Sequence, residues 1–576
     1  MSGQIPDDIV QEVKEWLGYD YDPQTREAVG WLVENDPVGL RESFARRLAF
    51  GTGGMRGLMG VGPNRLNIYT VAAAAQAVAS YLGAVYTDGR ELRAVVAYDS
   101  RNNSQRFAET CAETLAANGV RTYLFDGVRP VPELSYAVRV LRCQVGVTIT
   151  ASHNPKEYNG FKLYWANGGQ VVAPHDAGVV AVMGRITKFE HVKRGGEKKL
   201  IIPVGEELDE VYLNLLMGYD FTPELRSARA SLKVVYTPIH GAGTRLAPLL
   251  LKRLGFAQVS VVSKQSLPDG EFPSVTSPNP EDAAALALAV EQAQSAGATL
   301  VLGTDPDADR VGAAVADGHG AFVHFDGEQI GLLMANYVLT MRRRAKCISK
   351  KDYMVRTVVT TPLIDALARS FGVETYAVPT GFKYIAALID AMGPTKNFLM
   401  GIEESHGYLV GSELRDKDGI QACGIFAQLA AWAASRGCSP LDDLDAIYRQ
   451  VGFSRRAQRS KVLTGIEGQR AIADRMAALR REPPVALAGE RVVEALDFLA
   501  LPTTRRPAKE GSLVLMNPSD TLQYITDSGS IVTVRPSGTE PKVKYYATVR
   551  MPYESYEKTS LEAEARAHAL IDALEG

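Results

Sequence analysis

One arrangement recurs three times along this chain. Residues 94–126 run AVVAYDSRNNSQRFAETCAETLAANGVRTYLFD: an apolar strand, a polar turn, a helical pattern, Gly119, then a second strand. Residues 232–264 (LKVVYTPIHGAGTRLAPLLLKRLGFAQVSVVSK) repeat it around Gly255, and 353–378 (YMVRTVVTTPLIDALARSFGVETYAV) around Gly372. Strand, helix, glycine stop and strand make a βαβ unit, with the glycine supplying a positive-φ helix terminus. Such units build mixed or parallel sheets covered by helices. The expected fold class is therefore α/β, with three similar domains carrying mixed sheets.

Each repeat continues into a further apolar strand that discharges into an unusual polar loop. CQVGVTIT enters ASHNPKEYNG, ATLVLG enters TDPDADR, and KNFLMG enters IEESHGYL. Open α/β sheets bind ligands at the carboxyl ends of their strands, so three such loops can build one central cleft. Composition places the boundaries. KRGGEKK (193–199) reads as a linker, DGHGAFVHFDGE (317–328) as a turn and short hairpin, and the third unit closes near 460. The remainder, with strand-like GSLVLM and SIVTVRPSG and an amphipathic last helix, reads as a fourth, α+β domain. The expected domains are 1–205, 206–325, 326–460 and 461–576.

With 576 residues the chain is too long for one core. A net charge of -3 with interspersed signs predicts neither a nucleic-acid nor a membrane partner. The run Arg342-Arg343-Arg344 reads as a solvated helix end. Five scattered cysteines without a CxxC pair, and a first stretch lacking an apolar signal core, predict a soluble cytoplasmic protein with reduced thiols. YTVAAAAQAVASYLGAVY is apolar enough to resemble a span, but its Gln76 and Ser80 favour a packed helix.

The loops carry the chemistry. GTDPDADR (303–310) alternates Asp305, Asp307 and Asp309, and alternating carboxylates on a tight loop suit a hard divalent cation. An EF-hand opens the same way but needs glycine and glutamate where this chain has Arg310 and Ala316. An acidic surface turn is the alternative. Ser152 reads equally as a cap, a turn residue or a nucleophile. A serine hydroxyl needs a base or a metal to react, and no GxSxG elbow is present. If Ser152 carries a phosphoryl group, its oxygens become a further ligand beside the three aspartates, and Lys162 offsets the charge. EESHG (403–407) offers carboxylates and a hydroxyl to a polyol, or simply an acidic helix start. RPSGTEPKVK (535–544) offers Arg535 and a glycine loop to a phosphate, or a plain turn. GTGGMRG (51–57) contains Arg56 but lacks the spacing and lysine of a P-loop.

TASHNP, DPDADR, EES and RPSGTEPK together, in this order and at this spacing, resemble the α-D-phosphohexomutase superfamily over essentially the whole chain. FGTGGMRGLMGVGPNRLN is most similar to its branch of bacterial phosphoglucomutases and phosphopentomutases. The resemblance implies four domains around a cleft, with Ser152 as the phosphoserine. It implies Mg²⁺ held by Asp305, Asp307, Asp309 and phosphorylated Ser152. Arg56, His153 and Lys162 would surround the phosphoserine, with Lys162 a proton shuttle. Glu403 and Ser405 would hold sugar hydroxyls, and Arg535, Ser537, Gly538 and Thr539 the non-transferred phosphate. Arg310, the loop with Thr380, Gly381 and Lys383, and Lys417 with Asp418 would complete the cleft.

The implied reaction is that of a phosphoglucomutase acting on a sugar phosphate, with glucose 1,6-bisphosphate as intermediate and activator. Mannose or pentose phosphate turnover, and sugar-bisphosphate synthesis, use the same chemistry. His406-Gly407 after EES is not common to all members and leaves the sugar epimer open. A metal-dependent sugar phosphatase or a non-catalytic sensor are readings from other classes. Oligomeric state is not encoded in any feature above.

Overall fold

Gly119, Gly255 and Gly372 all take positive φ, at 80°, 96° and 77°, a conformation that costs a residue with a side chain roughly 1–2 kcal/mol. Our computed structural model describes residues 6–575 except 19, 52, 464, 501–505, 509–510, 514–517 and 537–541. In it these glycines follow the helices Ser104–Ala117, Gly243–Arg253 and Leu363–Ser370, each of which links two parallel neighbours in one sheet. The βαβ repeat is present three times, and the α/β class with mixed sheets holds.

The three sheets share one plan. In the first, Val145–Ile149 lies between parallel Arg93–Tyr98 and antiparallel Tyr158–Trp165. In the second, Leu300–Thr304 lies between parallel Lys233–Thr237 and antiparallel Val311–Ala316. In the third, Asn397–Glu403 lies between parallel Asp352–Thr357 and antiparallel Gly407–Val410. These central strands are covered on both faces, so they consist of nearly continuous apolar residues. Each polar loop is consequently a hairpin connection at the carboxyl end of a central strand. Each also holds one non-glycine residue in the left-handed region: Ser152 at φ 54°, Ala308 at 52° and His406 at 63°.

A fourth sheet of six antiparallel strands packs against the helices Gly465–Arg481 and Tyr556–Glu575. Two of its details differ from the sequence reading. Phe453–Val462 belongs to this sheet, paired in register along all of Lys542–Met551, so the third unit ends with the helix Pro440–Val451. GSLVLM contributes Gly511–Leu513 to the third sheet, beside Glu374–Val378. Both assignments depend on pairing partners distant in sequence, which composition does not disclose.

The second, third and fourth units share one continuous apolar core, whereas the first has its own clusters. The helix Glu206–Met217 joins them, with Leu208 in a first-unit cluster and Tyr212, Leu213 and Leu216 in the shared core. Ile68–Val85 is the one described helix long and apolar enough to cross a membrane. It begins in an Asn67/Thr70 capping box and buries its alanines in the core of the first unit.

Candidate active site

The metal-type loop of the second sheet is where the other loops arrive. Ser152 Oγ donates a 2.8 Å hydrogen bond to Asp305 Oδ2. Lys162 Nζ lies 2.7 Å from Asp307 Oδ2 and 3.5 Å from Asp309 Oδ2. From the third unit, Lys417 Nζ reaches Asp309 Oδ2 at 2.7 Å. The strand register explains part of this convergence. Lys162 is paired with Gly54, so Arg56, two residues on, shares its face of the sheet. Gly54 itself cannot carry a side chain, because a Cβ there would lie 1.9 Å from the Phe161 carbonyl oxygen.

The three aspartates are fully buried, and one oxygen from each lies within 4.8 Å of the others. Asp305 Oδ1 accepts the backbone N–H groups of Asp309 and Arg310. Asp307 Oδ1 and Asp309 Oδ1 are buried and accept no hydrogen bond. Burial and the two neighbouring aspartates push the Asp305 carboxyl far above the usual range. Burial also raises Asp307, but Lys162 and hydrogen bonds overcome it and hold that carboxyl below the usual range. Orphaned buried carboxylate oxygens are costly, and a hard divalent cation is the partner that a three-oxygen cluster suits. The donor set fits such an ion.

Ser152 is held in place by a residue that sequence reasoning did not single out. Arg101 extends beneath the loop and donates to the carbonyls of Ser152, Asn154, Pro155 and Tyr158. Its charge is balanced by buried Asp99 at 3.3 Å. Asp99 in turn accepts from Thr150 Oγ1, which also receives the Ser152 N–H. These bonds retain Ser152 in its left-handed conformation with Oγ toward the aspartates. His153 Nδ1 lies 3.2 Å from Ser152 Oγ, and Arg56 donates to the Asn154 side chain. Burial, with Arg310 and Arg56 nearby, keeps the His153 imidazole neutral.

The third unit supplies the opposite wall. Glu403 is buried, and desolvation pushes its carboxyl up to about 7 in spite of nearby Lys417. Ser405 is half-buried at the loop tip. His406 is structural: its Nδ1 lies 3.0 Å from the Val311 carbonyl oxygen, tying this loop to the metal loop. Asp418 caps the helix Gly419–Ser435 and accepts from Tyr212. Arg310 pairs with Glu281 at 2.5 Å. Thr380 Oγ1 is buried without a partner, and Gly381 precedes the helix Phe382–Met392. Lys383 joins Arg56 and Lys162 around a 180 Å³ pocket floored by Gly53 and Gly54.

From the fourth unit, Arg535 Nη2 donates to Tyr546 OH at 3.4 Å. Lys544 sits opposite Arg535 in the sheet, and burial with the charges of Arg535 and Lys542 lowers its ammonium to about 8. Ser537, Gly538 and Thr539 lie outside the described residues.

Comparison with known proteins places this geometry. Three family models match in sequence order: phosphoglucomutase/phosphomannomutase alpha/beta/alpha domain I over residues 47–190, domain II over 211–318 and domain III over 326–450. The phosphoglucomutase of Staphylococcus aureus strain N315 is 35% identical over 525 residues, 90% of this chain and 92% of its own. The chain belongs to the α-D-phosphohexomutase superfamily. A phosphoglucomutase of Staphylococcus haemolyticus is likewise 35% identical over 528 residues, covering 90% of this chain and 93% of its own. Among solved structures, Paramecium pp63/parafusin superposes with a TM-score of 0.67 at 16% identity, covering 92% of this chain and 96% of its own. A phosphoglucomutase/phosphomannomutase family protein of Burkholderia thailandensis gives 0.65 at 18%, covering 91% and 97%. These two likenesses concern the fold.

As a phosphohexomutase, the protein is an isomerase of a superfamily that works by intramolecular phosphoryl transfer. Within this phosphohexomutase the buried Asp305, Asp307 and Asp309 cluster suits a divalent metal. Arg101, Glu281 and Lys544 are the site residues that sequence reading missed. Only Lys544 had a visible signal, as the last residue of RPSGTEPKVK.

Proposed function

We propose that the chain is a phosphoglucomutase, interconverting α-D-glucose 1-phosphate and glucose 6-phosphate through phosphorylated Ser152 and glucose 1,6-bisphosphate. The carrying observation is the 2.8 Å bond from Ser152 Oγ to Asp305, inside a carboxylate cluster with orphaned oxygens. Relatives 35% identical over nine-tenths of both chains bear the name phosphoglucomutase, which supports glucose as the sugar.

Phosphorylated Ser152 gives its phosphoryl group to a sugar hydroxyl: the bond from phosphorus to Oγ breaks and one to the sugar oxygen forms. One proton leaves the sugar hydroxyl and one reaches Oγ. Lys162, on the same carboxylate cluster, is placed to relay it. The bisphosphate then turns over in the cleft and returns its other phosphoryl group to Ser152. Mg²⁺ held by Asp305, Asp307, Asp309 and a phosphoserine oxygen would neutralise charge on the group in transfer.

Arg310, Arg535 and Lys544 are the cations for the phosphate that stays, with Ser537, Gly538 and Thr539 completing that clamp. Glu403 and Ser405 accept and donate to sugar hydroxyls, while Thr380, Gly381, Lys383, Lys417 and Arg56 shape the remaining wall. Closure would keep water from the phosphoryl group.

The test is a panel of glucose, mannose and pentose 1-phosphates with and without glucose 1,6-bisphosphate, following the isomeric product. Glucose 1-phosphate is expected to give the highest kcat/KM, with activation by the bisphosphate. Preference for mannose or pentose phosphate, or steady release of inorganic phosphate without isomer, would overturn the assignment.

A further inference from the structure

The serine loop and the aspartate loop belong to different units, yet one segment touches the supports of both. Residues 262–282 leave the strand Gln258–Val261 of the second unit and carry no strand of their own. Their early part is anchored beside the metal loop. Asp269 donates its N–H to the His240 carbonyl, and His240 Nε2 lies 2.8 Å from Ser274 Oγ. Two residues beyond His240, the Ala242 N–H donates to the Pro306 carbonyl at 2.8 Å. The far end of the segment supplies Glu281, the partner of Arg310.

Between these anchors the segment crosses to the first unit. Gly270 lies so close to Asn102 that a Cβ on it would sit 2.3 Å from the Asn102 nitrogen. Glu271 accepts from Asn102 Nδ2 at 2.6 Å and pairs with Lys156, beside the serine loop, at 2.7 Å. The next ring, Phe272, covers the Arg101 guanidinium, whose central carbon is 5.1 Å from the ring centroid.

Two properties separate Phe272 from an ordinary core residue. It is 2% exposed, yet it joins none of the apolar clusters among the described residues. Its φ is 46°, a region that bulky side chains rarely enter and that persists only where the surroundings impose it. Arg101 is itself fully buried, with Asp99 as counter-charge and four carbonyls of the serine loop as acceptors. An aromatic face attracts a desolvated guanidinium and keeps out the water that would compete for those carbonyls.

We propose that Phe272 is a positioning residue for phosphoryl transfer: reaching across from the second unit, it holds Arg101 and so sets Ser152 Oγ against the aspartates. This role rests on Ser152 as the phosphoryl carrier. A displacement of about 1 Å at a reacting group can cost about a hundredfold in rate, so loss of the ring is expected to show in transfer rather than in substrate binding.

The test compares Phe272→Leu with Phe272→Tyr in the full-length protein with Mg²⁺. Two rates are read: labelling of Ser152 by phosphorus-labelled glucose 1,6-bisphosphate, and turnover of glucose 1-phosphate. Phe272→Leu is expected to lose about tenfold in labelling rate and kcat, with KM within about twofold of wild type. Phe272→Tyr restores the ring face and is expected to recover at least about half of the lost rate. Hydrogen exchange is expected to quicken in residues 151–158 of Phe272→Leu and to stay unchanged in 300–304. If leucine lowers the melting temperature, Phe272→Met, which fills the volume without a ring, replaces it with the same expectations. Wild-type labelling in Phe272→Leu, an equal loss in Phe272→Tyr, or faster exchange throughout the second unit overturns the proposal. No label on Ser152 in the wild-type protein instead overturns the phosphoserine reading, and this role with it.

Discussion

Ser152 Oγ and Asp305 Oδ2 are 153 residues apart in sequence and share a 2.8 Å hydrogen bond. The bond joins the hairpin loop of the first sheet to that of the second. Each loop extends from the carboxyl end of a central strand, so equivalent parts of two repeats face one another. The arrangement places a hydroxyl against a carboxylate cluster in which Asp307 Oδ1 and Asp309 Oδ1 accept no hydrogen bond.

The loop that presents Ser152 depends on Arg101. Arg101→Ala leaves the loop carbonyls and the buried Asp99 charge uncompensated, at an expected cost of about 3–5 kcal/mol in urea unfolding. Arg101→Lys keeps the charge but lacks the fork that reaches several carbonyls at once, so intermediate stability and reduced kcat are expected. A stability loss under about 1 kcal/mol in the alanine variant contradicts this role.

The aspartate cluster is expected to bind a divalent cation in the absence of substrate. Removing metal with EDTA lowers the melting temperature, and Mg²⁺ at a hundredfold its Kd restores about 2.7 kcal/mol. Asp309→Asn is expected to abolish that Mg²⁺-dependent shift. An equal shift in the variant places the ion elsewhere.

Burial and the charges of Arg535 and Lys542 lower Lys544 to about 8, whereas an unfolded lysine titrates near 10.4. Below about 8 both states carry the charge, so the folded protein bears the full penalty there. Between about 8 and 10.4 the unfolded chain binds more protons, and the contribution of Lys544 to stability recovers as pH rises. Substrate binding runs the other way: KM for the sugar phosphate is expected to climb as the charge leaves above about 8. Lys544→Arg retains its charge and flattens that climb. The same climb in wild type and variant assigns it to another group.

Much of this site is legible along the chain because its chemistry sits where apolar strands stop. VGVTI, LVLGT and FLMGI are buried on both faces, so the polar residues that come next are conspicuous: Asp305 and Glu403 at once, Ser152 three residues on. Glycine spacing exposes the βαβ repeat for a similar reason. Arg101 is not legible: in DSRNNSQ it reads as a turn residue, and its acceptors are carbonyls some fifty residues away. The Lys417–Asp309 pair and the pairing of Phe453–Val462 with Lys542–Met551 are contacts between distant segments, which no local pattern announces. The carbonyl partner of His406, on Val311 and 95 residues away, is likewise beyond any local pattern.

The most direct measurement is to incubate the protein with phosphorus-labelled glucose 1,6-bisphosphate and Mg²⁺, then locate the label by peptide mass spectrometry. One phosphoryl group on Ser152 is expected, discharged on adding glucose 1-phosphate or glucose 6-phosphate, with neither label nor mutase activity in a folded Ser152→Ala variant. Label on another residue, or full mutase activity in Ser152→Ala, would contradict the assignment of Ser152 as the phosphoryl carrier.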